Sequence, residues 1–298
     1  MAKGRELKGR IKTTENTRKI TRTMEMVATS KMKRALDRVI AARPYAGALA
    51  DVMGSLYAPD LAERFPLLRQ PEPGARGDSP RAGARAAVIL LTSNRGLAGA
   101  FNANLIREAR GTVSRLEGEG STVDLHAVGR KGIGYFRYVG RELATARTDV
   151  GDRPTAQNAA ELVDPLMDAF ARGALDAVYV VYARFQSALS TPPATQRVLP
   201  VEPPEAAKGG PRHDYLLFPS AEAILGELLP SYVRNAVYRA LVETAAAEQA
   251  ARRTAMKNAT DNAGEMINIL RRTYNRARQA NITQEIAEIV GGAAALQG

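Results

Sequence analysis

SYVRNAVYRALVETAAAEQAARRTAMKNATDNAGEMINIL, residues 231–270, has no Pro and one Gly, Gly264, and the Pro-free run continues to Ile289. Val233, Val237, Leu241, Thr244, Glu248, Ala251, Ala255, Ala259, Asn262, Met266, Ile269, Thr273 and Ala277 step by four and three. That spacing predicts a long helix with a heptad-type seam facing another helix. Many seam positions are Ala, Thr or Asn, so two backbones can approach closely with little hydrophobic grip per turn. Pro230 just precedes the run and suits a first helical turn, where its missing N–H costs nothing. A helix of 60–70 residues would be roughly 90–105 Å long at 1.5 Å per residue, longer than a compact domain of this size.

The other end of the chain supplies a partner. From about Gly4 to Tyr57 the composition is helical, interrupted by Pro44, Gly47 and Gly54. Leu7, Ile11, Ile20, Met24, Val27, Leu36, Val39 and Ile40 form one narrow stripe, broken between Ile11 and Ile20 by Thr13, Thr14 and Thr17. A helix on a globular core would show a wider stripe. Two long helices at opposite ends of one chain are satisfied together by an antiparallel coiled coil. The N-terminal helix is shorter, so the far end of its partner overhangs, carrying Ile282, Ile286, Ile289 and Val290.

Charge follows the same division. The chain has 298 residues and a net charge of +11. Residues 1–40 hold 12 Lys or Arg against 4 Asp or Glu, residues 231–298 hold 9 against 6, and the middle holds 21 of each. Within TRKITRTMEMVATSKMKR, 17–34, one carboxylate, Glu25, opposes Arg18, Lys19, Arg22, Lys31, Lys33 and Arg34. Basic ends predict an acidic partner: nucleic acid, lipid head groups or an acidic protein surface.

Between the ends the pattern changes. Residues 67–85 and 202–213 are rich in Pro and Gly and read as loops. Strands are predicted at 86–91 (AAVILL), 122–128 and 177–185, with a sheet extension at 196–201. Helices are predicted at 102–116, 131–139 and 155–172. Strand alternating with helix gives an α/β unit with a largely parallel sheet. The fold class is therefore α/β, an inserted domain on a long antiparallel coiled coil. The expected boundaries are 1–57 and 216–298 for the helices, 58–85 for a linker and 86–215 for the α/β domain.

The middle shows little chemistry. There is no Cys, which excludes disulfides, thiolate metal sites and thiol switches. His126 and His213 are the only histidines, far apart, so a histidine metal cluster is not expected. SNRGLAGAFN, 93–102, follows the first strand, but matches neither G-x-x-x-x-G-K-[ST] nor G-x-G-x-x-G. Gly129, Gly132 and Gly134 are spaced wrongly too. These glycines read as tight turns and close strand–helix packing. No nucleophile–base constellation appears, and no cofactor is expected. No apolar run reaches the roughly 18 residues of a membrane span, and MAKGRELKGRIK lacks a signal-peptide core. A soluble, cytoplasmic chain without membrane insertion is expected.

KITRTMEMVATSKMKRA (19–35), GLAGAFN (96–102), AEQAARRTAMKNATDNA (247–263) and YNRARQANITQEIAEIVGGAAAL (274–296) resemble the gamma subunit family of the rotary F-type ATP synthase. The resemblance covers essentially the whole chain and is loosest in the two Pro/Gly-rich loops. It implies a non-catalytic rotor shaft inside a ring of three alpha and three beta subunits. Its α/β foot would bind the epsilon subunit and the c-ring, on the cytoplasmic face of the inner membrane. It implies that Arg10, Lys12, Lys19, Arg22, Lys31, Lys33 and Arg34 meet acidic lever loops of the beta subunits through weakly directional forces. Met24 matches a methionine implicated in coupling. Arg252 and Gln279 match positions at the beta-ring catch, with Arg278, Thr283 and Glu285 in the same region. The stretch from Ile282 to Leu296 would enter an apolar bearing. In DYLLFPS, 214–220, Tyr215 is retained, but Phe218 stands where relatives often carry an acid, making that c-ring or epsilon contact more apolar. Nucleic-acid binding fits less well, since the basic residues are spread along the helix and no aromatic precedes Tyr45.

Overall fold

The computed structural model describes residues 2–56, 64–69, 83–202 and 220–296. Tyr215, Phe218, His213 and most of both Pro/Gly-rich loops lie outside them. The chain divides into two compact units: Thr29–Ala251, and Met1–Ala28 with Arg252–Gly298. Helices α1 (Ala2–Leu56) and α5 (Ala221–Leu296) contribute a segment to each unit.

In the larger unit, β1 (Arg85–Leu91), β2 (Thr122–Val128), β3 (Thr145–Arg147), β4 (Ala177–Ala183) and β5 (Pro193–Leu199) form one sheet. Their order is β3-β2-β1-β4-β5. Every pairing is parallel except β4–β5. Between the strands run α2 (Phe101–Gly118), α3 (Arg130–Tyr138) and α4 (Ala156–Ala171). β1 is apolar throughout because both its faces are covered, as in parallel sheets. Ala87, Ile89 and Leu91 point into a core with Leu162, Leu166 and Phe170 of α4 and Leu225, Leu229, Val233 and Val237 of α5. Ala86, Val88 and Leu90 point the other way, onto Phe101, Leu105, Ala109 and Leu116 of α2. The strand's two-residue period sorts one run into two cores.

Two features of this unit differ from the sequence reading. β3 was not foreseen, since TAR is three residues long with an exposed pattern. The C-terminal helix starts at Ala221, so Pro230 lies inside it rather than in its first turn. An interior Pro costs a helix about 3 kcal/mol or more. Leu225, Leu229, Val233 and Val237 are each at most 1% exposed. Burial of such side chains yields about 1.5–3 kcal/mol apiece, which exceeds the cost and carries the helix through the proline.

In the smaller unit, 2–28 of α1 lies antiparallel to 252–296 of α5. Arg271 Nη2 is 2.7 Å from Glu15 Oε1, and Thr260 Oγ1 donates to Thr21 Oγ1 at 2.8 Å. The seam corrects the sequence reading. Arg252, Met256, Thr260, Ala263 and Ile267 are buried, and Leu270, Tyr274, Ala277 and Asn281 half-buried. The predicted seam at 255, 259, 262, 266, 269 and 273 runs beside it, with Met266 and Ile269 each 51% exposed. The divergence comes after Glu248, where the observed seam steps by four to 252, 256 and 260 and runs one residue C-terminal of the predicted line until the two rejoin at Ala277. On α1 the seam continues through Thr14, Thr21 and Ala28, so the threonines do not break it; Ile20 (60% exposed) and Val27 (50%) lie one residue off it.

Candidate functional site

The smaller unit carries most of the residues singled out above. At 100° per residue, Arg5, Lys8, Lys12 and Lys19 fall within an arc of about 60°, and all are exposed. They project away from the Leu7–Ile11–Thr14–Thr21 seam. Arg10 and Arg22 lie on the flanks of that seam. Arg10 is 2.9 Å from Glu6 one turn earlier, with both side chains more than 60% exposed. Such a pair is worth only a few tenths of a kcal/mol, so it does not hold Arg10 from another carboxylate. Met24 is half-buried beside the seam. Arg252, expected at the catch, is 8% exposed, so the structure places it within the seam rather than on the surface.

At the far end of α5, Ile282, Ile286, Ile289 and Val290 are 46–71% exposed. They lie within about 100° of one another around the helix, an apolar face with nothing of this chain against it among the described residues. Arg278 and Glu285 flank it on one side and Thr283 on the other, all exposed. Gln279 is exposed too, and its carbonyl accepts the Thr283 hydroxyl at 3.0 Å.

Lys31, Lys33 and Arg34 belong to the larger unit. Lys33 and Arg34 are exposed. Lys31 is not an open cation: its Nζ sits 2.6 Å from Asp152 Oδ2, each side chain about one-third exposed. Arg38 donates to the Asp152 carbonyl at 3.4 Å. Nothing in the sequence pattern pairs residues this far apart, so sequence reasoning missed the contact.

The loop after β1 is an interlock. Thr92 Oγ1 donates to the Val128 carbonyl at 2.8 Å and accepts from the Gly132 amide at 2.9 Å. The Asn94 side chain donates to the carbonyls of Thr148 (2.9 Å) and Val150 (3.0 Å), and accepts from the Arg130 amide at 3.0 Å. The Lys131 amide donates to Ser93 O. The first three amides of α3 are therefore consumed by the protein, whereas a phosphate-binding loop leaves such groups free. Gly129 has φ +97°, and a Cβ there would sit 2.1 Å from Thr92 O. One at Gly132 would sit 2.8 Å from Thr92 Oγ1. These glycines permit close packing, as their spacing suggests.

Two titratable groups lie at this end of the sheet. The Arg147 guanidinium bonds Asp149 (Nε–Oδ1 3.0 Å) and Glu161 (2.6 Å). It holds both carboxyls below their ordinary range, and they hold Arg147 above its own. His126 Nδ1 lies 2.9 Å from Thr145 Oγ1, and burial lowers its pKa, with Asp124 opposing. Among the described residues no group of three or more His, Asp or Glu could hold a metal ion. No described helix is long and apolar enough to cross a membrane.

Known proteins similar to this chain share one family description. A family model described as ATP synthase matches residues 3–296. The ATP synthase gamma chain of Gemmatimonas aurantiaca is 66% identical over 299 residues, covering 100% of both chains. That of Moorella thermoacetica is 46% identical, again covering 100% of both. Among solved structures, a chain of the Tetrahymena thermophila mitochondrial ATP synthase central stalk and c-ring is 26% identical with a TM-score of 0.57, over 80% of this chain and 99% of that one. A chain of the Euglena gracilis mitochondrial ATP synthase (OSCP/F1/c-ring) shares the fold at 21% identity with a TM-score of 0.67, over 99% and 95%.

Proposed function

This chain belongs to the ATP synthase gamma chain family, a rotor subunit of the F-type ATP synthase, and on that premise we propose how its surfaces divide the task. The carrying observation is the contrast within the smaller unit between a cationic outward face and an apolar tip. Lys12 and Lys19, with Arg10 and Arg22 on the flanks of the seam and, in the larger unit, Lys33 and Arg34, meet acidic loops of the beta subunits. Coulomb attraction between exposed charges varies slowly with orientation, so it can hold a turning shaft without locking it. Lys31 is set apart, because it serves the foot through Asp152.

Gln279, Arg278, Thr283 and Glu285 contact the beta ring, and Ile282, Ile286, Ile289 and Val290 turn in an apolar sleeve. Arg252 from within the seam and Met24 from beside it act by setting the stiffness and position of the shaft. The α/β region 86–215, reached through the 58–85 linker, is the foot that meets epsilon and the c-ring, with Tyr215 and Phe218 in that contact. The chain has no active site of its own: it shifts the populations of beta conformations through contact energies that differ with angle. The complex lies peripherally on the cytoplasmic face of the inner membrane.

The test is co-expression with the alpha and beta subunits of the same source, with and without residues 280–298. Assembly in both cases, with ATP-driven rotation weakened by the truncation, is the expected outcome. Full torque from the truncated shaft would remove the bearing role. Full torque after reversing Lys12 and Lys19 to Glu would remove the electrostatic one.

A further inference from the structure

The larger unit holds a crevice of about 640 Å³ that the rotor function does not use. It opens at the carboxyl ends of β1 and β2, lined there by Leu91, Thr92 and Val128, and continues along the 149–153 loop. Ligands of open α/β sheets sit outside the strand carboxyl ends, in pockets of roughly 300–1,000 Å³.

The charge lining the crevice is not balanced. Arg95, Arg130 and Arg153 line it, as do Asp149, Asp152 and Glu248. Two of these acids already have cationic partners, Asp152 in Lys31 and Asp149 in Arg147, which it shares with Glu161. Glu248 is 8% exposed and has a partner of its own. Among the described residues, the guanidinium groups of Arg95, Arg130 and Arg153 have neither a hydrogen bond nor an ion pair. Three guanidiniums without an ion pair thus share one concave site, whose wall is fixed by the Asn94 side chain.

We propose that this crevice binds a small phosphate-bearing anion, as inorganic phosphate, pyrophosphate or the phosphate tail of a nucleotide. Guanidinium forks match phosphate oxygens in pairs. Because the neighbouring loop amides are consumed, recognition falls to the arginine side chains, and binding weakens with added salt. The site is independent of the shaft surfaces, so its failure would leave the rotor function untouched.

The experiment is calorimetric titration of the full-length chain with phosphate, pyrophosphate and ATP, at low and at physiological salt. One saturable site is expected, with pyrophosphate tighter than phosphate. ATP binding no tighter than pyrophosphate would assign recognition to the phosphates alone, and tighter binding would add the nucleoside. The double variant R130Q/R153Q should bind at least tenfold more weakly, while R107Q/R172Q, which changes exposed arginines elsewhere, should bind as the parent does. Independently of any variant, pyrophosphate should protect Arg130 and Arg153, but not Arg107, from phenylglyoxal as read by mass spectrometry. Absence of saturable binding to all three anions, or binding that survives R130Q/R153Q without selective protection, would overturn the proposal.

Discussion

One helix, α5, runs under two regimes. Between Leu225 and Ala250 its apolar side chains are fixed in cores: Leu225, Val233, Val237, Ala246 and Ala250 are fully buried. Beyond Arg252 the seam thins to Met256, Ala263 and Ile267, and apolar residues such as Ile269, Ile286 and Ile289 face outward. The first stretch uses its hydrophobicity for folding, and the second leaves it exposed. Buried side chains therefore dominate the stability of this protein.

That contrast can be broken most directly at Leu229. Leu229→Ala should destabilise the chain by about 2–5 kcal/mol, read by denaturant unfolding; a loss below about 1 kcal/mol would mean the first stretch is not core. Gly129→Ala is next. It combines a strained left-handed backbone with a methyl 2.1 Å from a carbonyl oxygen, and about 2–4 kcal/mol should be lost. An unchanged melting temperature would refute the interlock with Thr92.

The seam offers a subtler test. Thr260→Val removes the bond across the seam, leaving the Thr21 hydroxyl only its local bond to the Arg18 carbonyl, and should cost about 0.5–1.5 kcal/mol. Replacing both threonines by Val should recover much of that loss. If the double variant is the weaker, the hydrogen bond itself stabilises the seam. Hydrogen exchange near residue 256 would read the effect locally.

Acid should act in the larger unit. His126 has a pKa lowered by burial, so below about pH 6.5 the unfolded chain takes up a proton that the folded one resists. Stability then falls as pH drops through that value toward the folded pKa. Asp149, held low by Arg147, adds a loss of the same sign at lower pH, as the pH falls from its unfolded toward its folded pKa. His126→Gln should flatten the melting curve between pH 7 and 5.5 and leave the lower branch intact. An identical slope would assign the acid response elsewhere.

The smallest expected effect on stability sharpens the comparison from the other side. Ile286→Ala with Ile289→Ala should change unfolding of the isolated chain by no more than about 0.5 kcal/mol, while lowering torque in the assembled complex. A large loss of stability would show that the tip packs on its own chain.

Much of the fold was legible because it rests on local pattern. Alternation, Pro/Gly punctuation and long uninterrupted helical composition placed four strands, the intervening helices and the paired ends. The apolar run 86–91 announced its burial on both faces. The motifs near both ends carried the family resemblance, which the family match over residues 3–296 bears out.

What the sequence could not decide shares a physical cause: each case depends on a surface supplied by distant residues. The seam's steps of four after Glu248 depend on which side chains α1 presents, and Ala255 or Ala259 suits either line. Helix through Pro230 depends on the sheet that buries Leu229 and Val233. Lys31 reads as one more free cation until the 148–153 loop brings Asp152 to it, and the three arginines of the crevice meet only because strand order places their loops together. Local propensity and periodicity lie in the sequence itself, but desolvation, pairing and register are properties of pairs, and tertiary structure alone chooses the pairs.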